Sequence, residues 1–152
     1  MSLYIRMVSH VGMQQDYCVF CEKVIKEREG FFIYEDDTVI SFMDHAPVEA
    51  GHVLIAPKKH FVNVFDIDDE VFLNIQMIAK IMASAVLKAT QADGINIGQN
   101  NGPCANQRVM HYHLHIIPRF CGSHINWERK AMSDKDMEAI SRKISVELLD
   151  LL

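Results

Sequence analysis

Apolar residues recur along this chain with two different periods. Phe31-Phe32-Ile33-Tyr34-Glu35 and Thr38-Val39-Ile40-Ser41-Phe42-Met43 flank Asp36-Asp37, which predicts a β-hairpin closed by a two-residue turn. Gly51-His52-Val53-Leu54-Ile55-Ala56 predicts a third strand, stopped at Pro57 because proline lacks the donor a ladder needs. The period then changes. Val71, Ile75, Ile78, Met82 and Val86 step by four, three, four and four, one apolar stripe on a long helix entered at Asp66 or Asp68 and closed at Asp93-Gly94. Residues 94–99 alternate as a fourth strand, and a polar loop runs from Asn100 to Asn106. Met137, Ile140, Ile144 and Leu148 mark a C-terminal helix with Ser133 as its N-cap. The expected fold class is α+β, an antiparallel sheet with one covered face and helices to the side. One domain is expected over residues 1–152, with a core over about 16–120 and a C-terminal loop and helix over 121–152.

The alternation is most informative at His111-Tyr112-His113-Leu114-His115-Ile116-Ile117, three histidines at every second position before Pro118. A strand repeats its side-chain direction every two residues, so all three imidazoles fall on one face and Tyr112, Leu114 and Ile116 on the other. Solvent faces of strands are usually Thr, Lys and Glu, so three rings in a row point to a site. Imidazole, with an ordinary pKa of about 6.5, serves near neutrality as nucleophile, proton carrier or metal ligand.

Composition narrows the options. The chain has 152 residues, 49% of them apolar, and a formal net charge of −5, so it lacks the basic stripe that nonspecific nucleic-acid binding needs. No apolar run approaches the roughly 18 residues that would cross a bilayer, and residues 1–6 lack the apolar region of a secretory signal. Four cysteines in a chain of this size fit a reducing compartment, and a cytoplasmic location is expected. Cys18-Val19-Phe20-Cys21 favours zinc over redox chemistry, because no βαβ unit surrounds it. Zinc requires two further ligands, for which His60 and His111 are candidates. Cys104 and Cys121 lack partners at metal spacing and read as ordinary thiols.

Gly51-His52-Val53-Leu54-Ile55-Ala56-Pro57-Lys58-Lys59-His60, followed by Asn106-Gln107-Arg108-Val109-Met110-His111-Tyr112-His113-Leu114-His115-Ile116-Ile117-Pro118, resembles the histidine triad (HIT) family. The likeness extends from about Cys18 to Arg119, with both motifs in order. It implies a HIT-like α+β domain that dimerises by extending one sheet across a two-fold axis. It also implies a pocket for a purine nucleotide or nucleotide conjugate, with hydrolysis or transfer at the α-phosphate of phosphoramidates or dinucleoside polyphosphates. The CxxC is similar to that of zinc-bearing members, which makes Cys18, Cys21, His60 and His111 the implied ligands of one structural zinc per chain.

The same resemblance makes His113 the nucleophile and His115 a hydrogen-bond donor to a phosphoryl or leaving-group oxygen. A covalent nucleotidyl-histidine would split one hard displacement into two easier ones. Asp44 is the implied ribose ligand, although an Asp before Ala46-Pro47 also suits a turn. Val19, Phe20 and Phe42 could sandwich a base, and Asn100 and Gln107 match positions that contact phosphate. His52 matches a family position as well, where a packed histidine is the plainer expectation. Many members carry Gly-Gln followed by Ser or Thr where this chain has Asn106-Gln107-Arg108, so a hydroxyl is replaced by the fixed charge of Arg108. Two other classes stay open: a nucleotide-binding interaction protein with little turnover, and a metalloenzyme using triad histidines as catalytic ligands. The second lacks an evident carboxylate ligand in the sequence.

Overall fold

The structure, a computed structural model, describes residues 17–152; the N-terminal stretch considered for a signal lies outside them. Strands β1 (Phe32–Glu35), β2 (Val39–Met43), β3 (Val53–Pro57), β4 (Gly94–Gly98) and β5 (Leu114–Arg119) form one antiparallel sheet in the order β1-β2-β3-β5-β4. Helix α1 (Asp69–Thr90) joins β3 to β4, and α2 (Asp134–Leu149) follows β5. The chain is thus α+β, as its periodicity predicts.

The hairpin turn runs one residue longer than expected. Asp36 Oδ1 accepts from the backbone N–H of both Thr38 and Val39, each at 2.7 Å, and this local alternative to a ladder delays β2 until Val39. Pro57 is the last residue of β3, paired with Val39. Asp68 stands at the N-cap of α1, but the helix stops at Thr90, ahead of the expected Asp93-Gly94. Gln91 adopts a left-handed φ of 55° and its N–H returns to Leu87 and Lys88 oxygens, which ends the helix. Asp93 belongs instead to the sheet end, where its carboxylate accepts from the Cys121 N–H at 2.7 Å. Ser133 caps α2 by accepting from Asp136 N–H.

The larger correction concerns the sheet faces. Val39, Met43, Val53, Ile55, Leu114 and Ile116 meet the buried stripe of α1 (Ile75, Ile78, Ala79, Met82, Val86) and Met137, Ile144 and Leu148 of α2. The alternate residues Ile40, Phe42, Leu54 and Ala56 form a second cluster, covered by Phe20 and Val24 of a π-helical segment, Phe20–Lys26. Both faces of β2 and β3 are therefore buried, and the expectation of one covered face is wrong. The covering segment carries Cys21, the second cysteine of the CxxC, and no long apolar period announces it. Helix α1 is long and apolar enough to cross a membrane by length and composition, which corrects the reading of the apolar runs. Its most buried stripe is the domain's core.

Gly51, at φ +94°, sits where a Cβ would lie 2.6 Å from the Thr90 side chain. Its missing side chain lets the turn before β3 close against the end of α1.

Candidate functional site

Only the last histidine of the triad lies in the ladder. β5 begins at Leu114, so the expectation of one strand carrying all three holds for the facing of the side chains but not for the backbone. The reason is local: Tyr112 N–H donates to Phe61 O at 2.6 Å, and the His111 ring takes Pro57 O at 2.8 Å, so neither extends the pairing with β3. The alternation survives nonetheless. Tyr112 packs into the helix-side core, while His115, aligned with Leu54 and Gly98, faces the CxxC side. The ring centroids of His113 and His115 lie 4.9 Å apart, and Phe20 stands 5.6 Å from His111 and 5.3 Å from His113.

At one end of this row, ligand atoms of Cys18, Cys21, His60 and His111 all lie within 4.8 Å of one another. His111 Nδ1 is 3.4 Å from Cys18 Sγ and 3.5 Å from Cys21 Sγ, and His60 Nδ1 is 3.5 Å from Cys21 Sγ. Two ligands across a tetrahedral zinc, at about 2.3 Å for sulfur and 2.1 Å for nitrogen, are separated by about 3.5 Å. The donor set therefore fits zinc in both chemistry and spacing. His111 Nε2–H donates to Pro57 O, which leaves Nδ1 as the free lone pair facing the sulfurs. Burial lowers the His111 pKa to about 4, so the ring is neutral at neutral pH. Without a cation, burial and then Cys18 push the Cys21 thiol up to about 12.

His113 Nδ1–H donates to His111 O at 2.7 Å, which fixes the tautomer and leaves Nε2 with its lone pair. Burial holds its pKa below the ordinary histidine value. The tautomer of His115 follows from a chain of two bonds. Val48 N–H donates to His52 Nδ1 at 3.3 Å, so His52 carries its proton on Nε2. That Nε2–H lies 2.9 Å from His115 Nδ1, which makes His115 an acceptor there and leaves its Nε2–H as a free donor. Burial lowers His52 to about 4 and His115 to about 3, with neighbouring histidines adding to the effect on His115. The site therefore holds one neutral ring with a free lone pair beside another with a free N–H.

Asp44 is 4% exposed, and each of its oxygens accepts a hydrogen bond. Its Oδ1 accepts from Ala46 N–H at 3.0 Å, the turn-forming role, and its Oδ2 accepts from Arg129 Nη1 at 2.7 Å. Burial raises its pKa, but His52, the Ala46 N–H and Arg129 outweigh that and hold the carboxyl below the usual range. Asp44, His52 and His115 form a second cluster with ligand atoms within 4.8 Å, which supplies the carboxylate that the sequence did not reveal for a catalytic metal. Arg129 already brings a positive charge to that carboxylate.

A cavity of 540 Å³ opens beside His52 and His115 and is lined also by Asn96, Asn100, Asn106, Trp127 and Arg129. Phe20 and Phe42 pack edge-to-face at 5.3 Å, both buried, while Val19 is exposed. Asn100 Nδ2 donates to Asn106 O at 3.2 Å. Gln107 is buried among backbone groups, accepting from Gly102 N–H and donating to Val62 O and Val109 O, so it braces the loop. Asn106 has φ 64°, a left-handed conformation that asparagine tolerates where glycine is the usual choice. Arg108 is exposed and donates to Asn106 Oδ1 at 2.9 Å. Sequence reasoning passed over His52 as a packed residue and did not consider Arg129. No spacing links residue 129 to residue 44.

Fold and site together define a histidine-triad domain with a CxxC/His corner whose donor spacing suits a metal ion. The HIT domain model matches residues 25–122, and the chain belongs to this family. It is 35% identical to Protein hit of Bacillus subtilis over 136 residues, 86% of this chain and 94% of that one. A zinc-bound histidine triad family protein from Mycobacterium smegmatis is similar at 33% identity and a TM-score of 0.80, covering 90% of this chain and 96% of its own. Adenylylsulfatase HINT3 of Arabidopsis thaliana is 36% identical over 105 residues, 69% of this chain but 53% of that protein.

Proposed function

We propose that the protein hydrolyses or transfers the nucleotidyl group of purine nucleotide conjugates at the α-phosphate through a nucleotidyl-His113 intermediate. The observation that carries this reading is the pairing of tautomers: His113 Nε2 keeps its lone pair while His115 presents an N–H beside it. His113 Nε2 attacks phosphorus, the bond to the leaving group breaks, and His115 Nε2–H hydrogen-bonds the departing or phosphoryl oxygen. Water, or another acceptor that gives up a proton, then attacks the same phosphorus and releases His113. Asn100 and Asn106 face the cavity where the phosphate would sit, and Asp44 is the ribose ligand. Gln107 shapes the phosphate loop, Arg108 adds positive charge at its rim, and Phe20 and Phe42 wall the base side.

Cys18, Cys21, His60 and His111 would hold one zinc, which when bound cross-links the π-helical segment to the start of the triad. The protein acts as a homodimer. β4 is an edge strand, and Ile97 on it and Leu73 and Met77 on α1 are exposed apolar residues. Pairing of two such edges would remove an aggregation hazard and extend the sheet. The adenylylsulfatase name of one relative makes adenylyl sulfate a substrate to include beside phosphoramidates and dinucleoside polyphosphates.

The test is incubation with a panel of adenosine and guanosine phosphoramidates, adenylyl sulfate and dinucleoside polyphosphates, with acid-labile adducts mapped by mass spectrometry. An adduct on His113 supports the reading, and turnover by His113→Ala at the wild-type rate would sink it.

A further inference from the structure

The connection between β5 and α2 turns back over the site as an exposed strap. Residues 121–131 are all exposed, and the segment is fastened by polar and cation–π contacts. The Arg119 guanidinium lies 5.1 Å from the Trp127 ring and donates to Asn126 O at 3.3 Å. Arg129 Nη1 donates to Asp44 Oδ2 at 2.7 Å and to Ala46 O at 2.5 Å. Lys130 N–H donates to Pro47 O at 2.7 Å, and its ammonium pairs with Glu49 at 2.6 Å. Cys121 N–H holds the start of the segment to Asp93, and the fastenings of Arg129 and Lys130 are all to residues 44–49, in the turn between β2 and β3.

The burial is lopsided. The Asp44 side chain is 5% exposed, whereas that of Arg129 is 47% exposed. The guanidinium therefore sits between a buried carboxylate and solvent, on a segment whose own residues are all exposed and whose apolar anchor, Met132 packed against the core, lies just beyond it. We propose that Arg129 is a lock on Asp44, an affinity-setting residue that competes with the ribose of an incoming nucleotide for the same carboxylate. This rests on the reading of Asp44 as the ribose ligand. A ribose brings two hydroxyl donors, which replace the guanidinium donor at Asp44. Arg129 then moves into water, where half of its surface already lies. A buried carboxylate is costly to leave unpaired, so a ligand without the diol cannot compensate for the displaced guanidinium. The lock thus screens occupants of the site for a ribonucleoside.

The experiment is calorimetric binding of AMP and 2′,3′-dideoxy-AMP to wild-type protein, Arg129→Gln and Arg129→Lys, with limited trypsin cleavage as a second readout. Arg129→Gln should bind AMP about tenfold more tightly, the scale of one charge-assisted hydrogen bond, while Arg129→Lys stays close to wild type. AMP should hasten trypsin cleavage of wild-type protein after Arg129 and Lys130, because the strap is released. Unchanged or weaker AMP binding by Arg129→Gln, or protection of the strap by AMP, overturns the lock while leaving the ribose reading intact. Equal binding of AMP and dideoxy-AMP by Arg129→Gln overturns the ribose reading itself, and the lock with it.

Discussion

His111 and His115 stand at the two ends of one motif and have been given opposite chemistry. Both are neutral at neutral pH because burial lowers their pKa values, to about 4 and about 3. They differ in the partner of the second ring nitrogen. His111 donates from Nε2 to Pro57 O and turns a bare Nδ1 toward two sulfurs. His115 accepts at Nδ1 from His52 and is left with a proton on Nε2. One ring is thereby a metal ligand in form and the other a hydrogen-bond donor, although their spacing in the sequence is equivalent. A histidine's role here is set by what its far nitrogen touches.

Removing the ring between the two ends is the most drastic way to test that contrast. His113→Ala should lower turnover at least about a thousandfold and abolish the covalent adduct, with bound zinc unchanged by elemental analysis. An adduct on His111 or His115 instead would erase the division of labour.

Breaking the metal end comes next. Cys18→Ser or His111→Asn should lose the zinc and destabilise the fold by about 3 kcal/mol or more, on the order of 10 °C in Tm by scanning calorimetry. His115→Ala should leave both zinc content and Tm nearly unchanged. Equal loss of stability from both ends would mean that the site holds no structural ion.

The donor end is probed through kinetics. His115→Ala should lower kcat about a hundredfold while still permitting slow labelling of His113, since the nucleophile remains. His52→Ala should cost about tenfold, because His115 loses the bond that fixes its tautomer. His52→Gln, whose amide can still donate, should recover part of that rate. A kcat for His52→Ala equal to wild type would show that the His52 contact only packs the ring.

The last effect is graded with pH. The folded pKa values of His52 and His115 are depressed to about 4 and about 3, below the unfolded value near 6.5, so the unfolded chain binds more protons between these limits. Their contribution is fully present above pH 6.5 and is lost as pH falls, each by up to about 1.4 kcal/mol per pH unit. Urea midpoints measured from pH 8 to pH 4 should therefore stay flat above 6.5 and then drop. His52→Gln should make the drop shallower. The rate, governed by neutral His113, should fall only at a pH below that at which an ordinary histidine protonates.

The sequence by itself determined the class of fold and most of the cast of the site. Periods of two and near 3.6 are local consequences of backbone geometry, so four strands, the long helix and the Ser133-capped helix can be read from the spacing of apolar residues. The HxHxH run likewise determines which way its rings face, whether or not each residue is hydrogen-bonded in a ladder. Tertiary structure decided what those rings do. The gathering of Cys18, Cys21, His60 and His111 spans up to 93 positions, and Arg129 reaches Asp44 across 85. The tautomer of His115 depends on Val48 and His52, which the turn between β2 and β3 delivers. The burial of the sheet's second face by a π-helical segment is also a product of packing, since seven residues are too few to show a period. Hydrogen-bond direction and desolvation are properties of neighbours in space, and one-dimensional spacing reports them only when those neighbours are also close along the chain.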